Sequence, residues 1–198
     1  MYLSFYSQIL NKDIKEEKVE IERLVFHGSA SYPGSIGQSC TSMDICGYRL
    51  MFDCGNEFQR EGEAGGVGEE PDLALLEDGK LIDGLVISHF HNDHMGASPI
   101  LEHKGLLHPN AKVFMGPQTA AIMPWNFQDA LLHGAKYHAL DAIGILERRF
   151  VIPEPGEIEI LPGLKAFFPQ MGHAPGNCGM ATHTSNGRVG GFTSDMSF

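Results

Sequence analysis

Residues 81–94, LIDGLVIS followed by HFHNDH, join a short apolar run to a dense group of imidazoles. The run over 81–88 is typical of a strand buried on both faces. The pattern HxHxDH at 89–94 comes directly after it. Strand ends in an α/β scaffold present side chains to a ligand, so this stretch predicts a functional site at a sheet edge.

The spacing within HxHxDH suits metal ions. In an extended loop, His89 and His91 point the same way and can reach one metal together. Asp93 and His94 then fall on the next turn and can reach a second metal. Imidazole nitrogens and carboxylate oxygens are zinc-type ligands, with no thiolate required. Three His and an Asp at this spacing indicate a metal site rather than ordinary surface or core histidines.

Two residues further along the chain extend this pattern. His173 lies in GHAPGN at 172–177, after a strand predicted over 164–169. Asp195 lies two residues after the end of a strand predicted over 188–193. Alone, a His before a Pro-Gly turn is usually a loop residue, and an Asp at a strand end is commonly a cap. In this order behind HxHxDH, the two residues form a set with it.

The rest of the chain alternates strands with a few helices. Further strands are predicted over 18–26, 39–45, 48–53, 111–115, 145–152 and 158–161. Helices are predicted over 72–76, from 96 to 104, and over 118–138 with Pro124 and Gly134 as breaks. Loops rich in Gly fill 28–37 and 61–70. The expected class is α/β or α+β, with helices outside stacked sheets.

Length and charge limit the functional classes. A chain of 198 residues corresponds to one domain, or one and a small piece. The net charge is −11, whereas a domain that binds mainly by neutralising phosphates is usually basic. A nucleic-acid substrate would therefore be held by a local site or by a partner domain.

The cysteines and the N-terminus favour a cytoplasmic protein. The four cysteines form no CxxC pair, and reduced thiols are the default in the cytosol. We expect Cys40, Cys46 and Cys54 to be buried and inert. The first ten residues lack the basic segment and cleavage site of a leader, and no stretch reaches the ~18 apolar residues of a membrane helix.

These motifs resemble the metallo-β-lactamase superfamily, from about Leu24 to the terminus. Asp53 in MFDCG matches the first motif, HxHxDH the second, His173 the third and Asp195 the fourth. The stretches 109–119 and 187–198, with Gln128-Asp129, are similar to the β-CASP branch, which includes ribonuclease J and messenger-RNA 3′-end cleavage factors. The resemblance implies an αββα sandwich that is incomplete at the C-terminus, with 1–198 as the N-terminal part of the domain.

The resemblance also implies roles for the site residues. One zinc would be held by His89, His91 and His173, a second by Asp93 and His94, and Asp195 would bridge both. A hydroxide between the metals would attack a phosphodiester, ester or thioester. Alongside Asp93 and His94, Asp53 would support catalysis by orienting a ligand His, unless it only forms a turn. The backbone of Pro175, Gly176 and Asn177 either binds a phosphate or forms a plain turn.

The sequence departs from the superfamily after the fourth motif. The second metal there receives a further His, but this sequence ends three residues after Asp195. We therefore expect a weaker second site, in a fragment of a longer protein or in a chain completed by another copy or segment. The candidate substitutes, each more typical of a surface residue, are His103, His108, His133, His138 and His183. Manganese or iron could replace zinc.

Three functions remain open at this point. The first is a zinc-dependent phosphodiesterase or ribonuclease, and the second is a hydrolase of a small ester, thioester, lactone or cyclic nucleotide. The third is a non-catalytic module that retains the fold. The single Trp, Trp125, could stack on a base, but packing within a helix is the expected role. Core positions are expected for Met115, Met123, Met171 and Met180.

Overall fold

Two β-sheets form the centre of the computed structural model, which describes residues 21–28, 37–57, 69–152, 157–183 and 189–196. Most of the predicted loops 28–37 and 61–70 lie outside the described residues. So does the start of the first predicted strand, which is described from Ile21. The predicted mixed α/β class is confirmed.

The first sheet has six strands in chain order. They are β1 (Ile21–Phe26), β2 (Thr41–Ile45), β3 (Tyr48–Phe52), β4 (Ile82–Ile87), β5 (Leu107–Met115) and β6 (Arg149–Val151). Strands β1 to β3 pair antiparallel, and β3 to β6 pair parallel. The carboxyl ends of β3 and β4 therefore meet at one edge, where the predicted metal motif begins.

The second sheet is antiparallel and has four strands in the described residues. They are β7 (Glu157–Leu161), β8 (Leu164–Phe167), β9 (Met180–His183) and β10 (Val189–Phe192), in the order β10-β9-β8-β7. The helices are α1 (Asn92–Met95), α2 (Pro99–His103), α3 (Pro117–Leu132) and α4 (Ala139–Glu147), and a short 3-10 turn covers Ala74–Leu76.

The core has two layers, one on each face of the first sheet. On β3, Met51 packs with the helices, whereas Leu50 and Phe52 pack toward the second sheet. The strand β4 alternates in the same way, with Leu85 on the helix side and Val86 between the sheets. Burial on both faces explains why β4 appears in the sequence as a continuous apolar run. The described residues form a helix layer and two sheet layers of the predicted sandwich.

A buried arginine stabilises the end of the first sheet opposite the metal motif. Arg49 on β3 is 1% exposed. Its guanidinium donates to Asp44 at 2.8 and 3.1 Å, to Asp78 at 2.8 Å through two nitrogens, and to the carbonyl of Lys80 at 2.9 Å. These bonds connect the β2–β3 hairpin to the turn before β4. They hold the pKa of Asp44 below its usual value.

Several predicted elements differ from the structure. The predicted strand 145–152 is wrong in its first half, because α4 continues to Glu147 with Ala142 and Ile145 on its buried face. Helix α3 ends at Leu132 rather than His138. The break predicted at Gly134 is confirmed, because this residue follows the helix with a φ of 89°, which favours glycine, but Pro124 does not break the helix.

Three side chains also differ in burial from the prediction. Cys40 and Cys54 are buried as expected, but Cys46 is exposed in the turn between β2 and β3. Trp125 is 71% exposed, so its predicted packing role is wrong. Met171 is half-buried, whereas the other three predicted core methionines are buried: Met115, Met123 and Met180. No helix among the described residues is long and apolar enough to cross a membrane.

Candidate metal centre

The HxHxDH motif lies where β4 ends and α1 begins. His89 is fully buried directly beyond β4, and His91 precedes the first residue of α1 with an extended backbone. Helix α3 supports this loop, since the Asn126 side chain donates to the carbonyl of Phe90 at 2.7 Å. A side chain at Gly55 would collide with the carbonyl of Asp93, so this glycine allows the motif to approach the loop after β3.

Three imidazoles converge on one point. The Nδ1 atom of His91 lies 2.9 Å from Nε2 of His89 and 3.2 Å from Nε2 of His173. The ligand atoms of these residues all lie within 4.8 Å of one another. The structure thus brings together the three residues predicted for the first metal, although His173 comes from the distant segment between β8 and β9.

A second group shares His89 with the first. The ligand atoms of His89, His94 and Asp195 also lie within 4.8 Å of one another. The Oδ2 atom of Asp195 is 3.5 Å from Nε2 of His94 and 3.5 Å from Nε2 of His173. Oδ2 of Asp93 is 3.4 Å from Nε2 of His94. Asp195 therefore lies beside a ligand of each group, whereas Asp93 belongs to neither group of three, so the bridging role of Asp195 and the ligand role of Asp93 stay predictions.

Asp53 lies behind the histidines and accepts several hydrogen bonds. It is fully buried with a φ of 54°, and Nδ1 of His94 donates to its Oδ2 at 2.7 Å. The backbone N–H and the hydroxyl of Ser88 donate to the same carboxylate at 2.7 and 2.9 Å, and Ser39 donates at 3.0 Å. The bond from His94 leaves its Nε2 facing Asp93 and Asp195, as a metal ligand must.

Ser88 orients His89 as Asp53 orients His94, by a hydrogen bond to Nδ1 of the ring. Because its hydroxyl donates to Asp53, its oxygen is free to accept from Nδ1 of His89 at 3.0 Å. The Nε2 atom of His89 then carries a lone pair toward His91. Sequence reasoning missed Ser88, and also Ser194, whose hydroxyl is 3.4 Å from Nδ1 of His89. The available signal was position, since Ser88 and Ser194 directly precede His89 and Asp195.

Burial and charge shift the pKa values in opposite directions. Burial, with the charges of His94, His91 and His173, lowers the pKa of His89 to about 3, so His89 is neutral at pH 7. Burial alone would also lower the pKa of His94. The hydrogen bond and charge of Asp53, together with Asp93 and Asp195, outweigh burial and raise it. Burial raises the pKa of Asp93 above its usual value.

The donor set fits divalent metal ions. Oδ1 of Asp93 is buried and has no hydrogen-bond partner among the described residues. An unpaired buried carboxylate oxygen is costly unless something binds it. Neutral imidazoles with carboxylate oxygens suit zinc, and also manganese or iron. The residues present thus have the chemistry of a metal centre.

The histidines considered as substitutes for a missing ligand have other partners. His103 lies 3.1 Å from Asp141, His108 accepts the N–H of Asn110, and Nδ1 of His133 lies 2.8 Å from the carbonyl of Asp129. The ring of His138 is 5.3 Å from that of His103. None of these four joins a ligand group in the part of the chain that the structure describes. The side chain of His183 lies outside the described residues.

The turn at Pro175, Gly176 and Asn177 is engaged within the protein. The backbone N–H of Asn177 donates to the carbonyl of Ala174, and its side chain donates to the carbonyls of Gly172 and Asp195. Gly176 packs against Gly116 and Gln118 beside α3. Asn177 thus ties the segments that carry His173 and Asp195, and its N–H is already used. Phosphate binding by Gly176 stays a prediction.

A cavity of about 540 Å³ opens at the ligand groups. His91, Asp93, His94, His173 and Asp195 line it, with serines, glycines and two phenylalanines elsewhere on its wall. Its described lining contains two carboxylates and no lysine or arginine.

Comparison with known proteins identifies the family. The family model described as the metallo-beta-lactamase superfamily matches residues 34–198. The chain belongs to this superfamily. A crystal structure of a protein of unknown function from Enterococcus faecalis V583 has the same fold, with a TM-score of 0.58 and 17% identity, over 87% of this chain and 43% of that one.

The curated relatives confirm the predicted resemblance to the nucleic-acid-processing branch. An RNase J-like protein from Methanocaldococcus jannaschii is 28% identical over 154 residues, which are 78% of this chain and 32% of that protein. Cleavage and polyadenylation specificity factor 73 of Drosophila melanogaster is 35% identical over 94 residues, 48% of this chain and 13% of the factor. The chain thus spans a third or less of the length of these relatives.

Proposed function

We propose that this chain carries the metal centre of a zinc-dependent phosphodiesterase that cleaves RNA. The observation that carries the proposal is the convergence of two sets of ligand atoms at one cavity, those of His89, His91 and His173 and those of His94 and Asp195. Bound there, two zinc ions would supply a nucleophile at neutral pH and offset the negative charge that develops on phosphorus. The relatives named RNase J-like and cleavage factor favour RNA as the substrate.

The chain's own residues would hold and orient these ions. His91 and His173 would bind one side with His89, whereas Asp93 and His94 would bind the other. Asp53 would fix the ring of His94 through its hydrogen bond at 2.7 Å, and Ser88 would fix that of His89. Since the Nδ1 atom of each ring is held by a hydrogen bond, both Nε2 atoms are oriented in advance for binding.

A second candidate is hydrolysis of a small ester, thioester, lactone or cyclic nucleotide. The absence of lysine and arginine from the described lining favours it, because a small neutral substrate needs no basic groove. The cavity volume also falls within the range of about 300–1,000 Å³ that is common for small-molecule sites.

A paired assay on the protein loaded with zinc would separate the candidates. We expect a 5′-labelled RNA oligonucleotide to be cleaved, the cleavage to stop with a chelator, and zinc to restore it. Hydrolysis of an activated carboxylic ester without RNA cleavage would instead support the small-substrate enzyme. A folded, metal-loaded protein that acts on neither substrate would be a non-catalytic module.

Two further assignments accompany this function. We propose a cytoplasmic location, which the four free cysteines favour. The predictions that residues 1–198 form the N-terminal part of the domain, and that another segment or copy completes the second metal's ligands, stay open to test.

A further inference from the structure

Two phenylalanines line the cavity that contains the ligand groups, and their settings differ. Phe192, the last residue of β10, is half-buried and stacks on Phe52 with ring centroids 5.1 Å apart. Phe26, the last residue of β1, is 62% exposed. Packing with the core accounts for Phe192, but it does not account for Phe26.

The backbone around Phe26 is held, although its side chain is not buried. Phe26 pairs with Thr41 across β1 and β2, and the next residue donates its N–H to the carbonyl of Cys40 at 2.8 Å. Thr41 and Cys40 line the same cavity. The strand pairing therefore places the exposed side chain of Phe26 on the wall of the metal cavity, where a bound substrate would meet it.

The chemistry of the cavity limits what Phe26 can recognise. The described lining contains no lysine or arginine, and outside the candidate ligand residues its side chains are uncharged. An aromatic ring offers stacking, which every nucleobase accepts because every base has a π-face. A nucleic-acid phosphodiester placed at the ligand groups would bring a base with it, on one side or the other of the scissile bond.

We propose that Phe26 stacks on a nucleobase of the nucleotide bound at the metal centre, and so selects nucleotide esters over simple phosphodiesters. This inference rests on the proposed function. Phe26 is then a specificity-determining residue that contacts substrate but takes no part in bond breaking.

Binding to the metal-loaded protein tests the inference without catalysis. Adenosine 5′-monophosphate and ribose 5-phosphate carry the same phosphate and sugar but differ by the base. By calorimetric titration, we expect the wild type to bind the nucleotide about 5- to 150-fold more tightly. The variant Phe26→Ala should lose this preference, and Phe26→Tyr should retain it. Phe26→Leu should lose most of it, because it keeps an apolar side chain without a π-face.

Hydrolysis gives a second readout with the same logic. Thymidine 5′-(p-nitrophenyl phosphate) and methyl p-nitrophenyl phosphate share a leaving group, and only the first carries a base. Phe26→Ala should lower kcat/KM for the thymidine ester and leave the methyl ester unchanged. Phe167→Ala is the matched control, because Phe167 is 40% exposed on β8 but does not line the cavity.

The outcomes separate the inference from the proposed function. If the methyl ester is hydrolysed and the base preference survives in Phe26→Ala, the inference is overturned and the phosphodiesterase stands. If neither ester is hydrolysed while binding still prefers the nucleotide through Phe26, the stacking stands and the proposed activity fails. Equal binding of the two ligands by the wild type overturns the inference directly.

Discussion

His91→Ala is expected to remove the first metal and to reduce hydrolysis by at least about 100-fold. Changing a residue that only orients a metal ligand typically costs about 10- to 100-fold, and loss of the ligand itself should cost more. His91 is the residue whose Nδ1 lies within 3.2 Å of both other imidazoles in its group. It is only half-buried, so its loss leaves the core intact. Metal content by mass spectrometry should fall from two ions per chain to one.

Two other variants test the same ligand assignment. His108→Ala should retain both metals and full activity, because the ring of His108 accepts a hydrogen bond from Asn110 and joins no ligand group among the described residues. Asp195→Ala should weaken both sites together, since its carboxylate lies 3.5 Å from a ligand of each group. A His91→Ala protein with the metal content of the wild type would show that the ligand assignment is wrong.

Arg49→Ala is expected to lower the free energy of unfolding by about 3–5 kcal/mol, because it leaves Asp44 buried without its main partner. That is a large share of the ~5–15 kcal/mol that stabilises a typical domain. Urea unfolding of the metal-free protein should show a lower midpoint with an unchanged slope. Lys80 lies 3.6 Å from Asp44 and still offsets part of its charge, which reduces the loss of stability.

The pH dependence gives an independent check on this ion pair. Arg49 lowers the pKa of Asp44 in the folded state. A lowered carboxylate pKa contributes stability that is present above the unfolded value of about 3.9 and is lost as the pH falls below it. Arg49→Ala should therefore reduce the acid sensitivity of folding below pH ~4.

Arg23→Ala is the matched control for Arg49. Arg23 also pairs with Asp78, at 3.0 Å, but both side chains are more than a third exposed. Its removal should cost less than about 1 kcal/mol. An equal cost for the two variants would contradict the special role given to the buried pair.

The sequence predicted an element correctly where its pattern of apolar residues fits one type of secondary structure better than the others. The run at 81–88 is apolar on both faces of β4, which only a central strand requires. The prediction for 145–152 is wrong in its first half because the apolar residues Ile145 and Leu146 suit a helix face as well as a strand. Ile145 is buried in α4 and Phe150 packs from β6, so tertiary packing decided the boundary.

The sequence predicted which histidines lie close together in the candidate site, but not the residues that support them. His89, His91 and His173 come together as their motifs indicated, because each follows a predicted strand. The roles of Ser88 and Asn177 depend on contacts between segments distant in sequence. Asn177 reaches the carbonyl of Asp195, and Ser88 reaches Asp53, and no local pattern encodes either contact.

The central claim is that these residues hold two metal ions, and metal content per chain tests it most directly. The protein would be purified without added metal, and its metals counted by inductively coupled plasma mass spectrometry. The account predicts two ions per chain, with zinc the main element. A folded protein that binds fewer than two ions per chain on titration with zinc would contradict it.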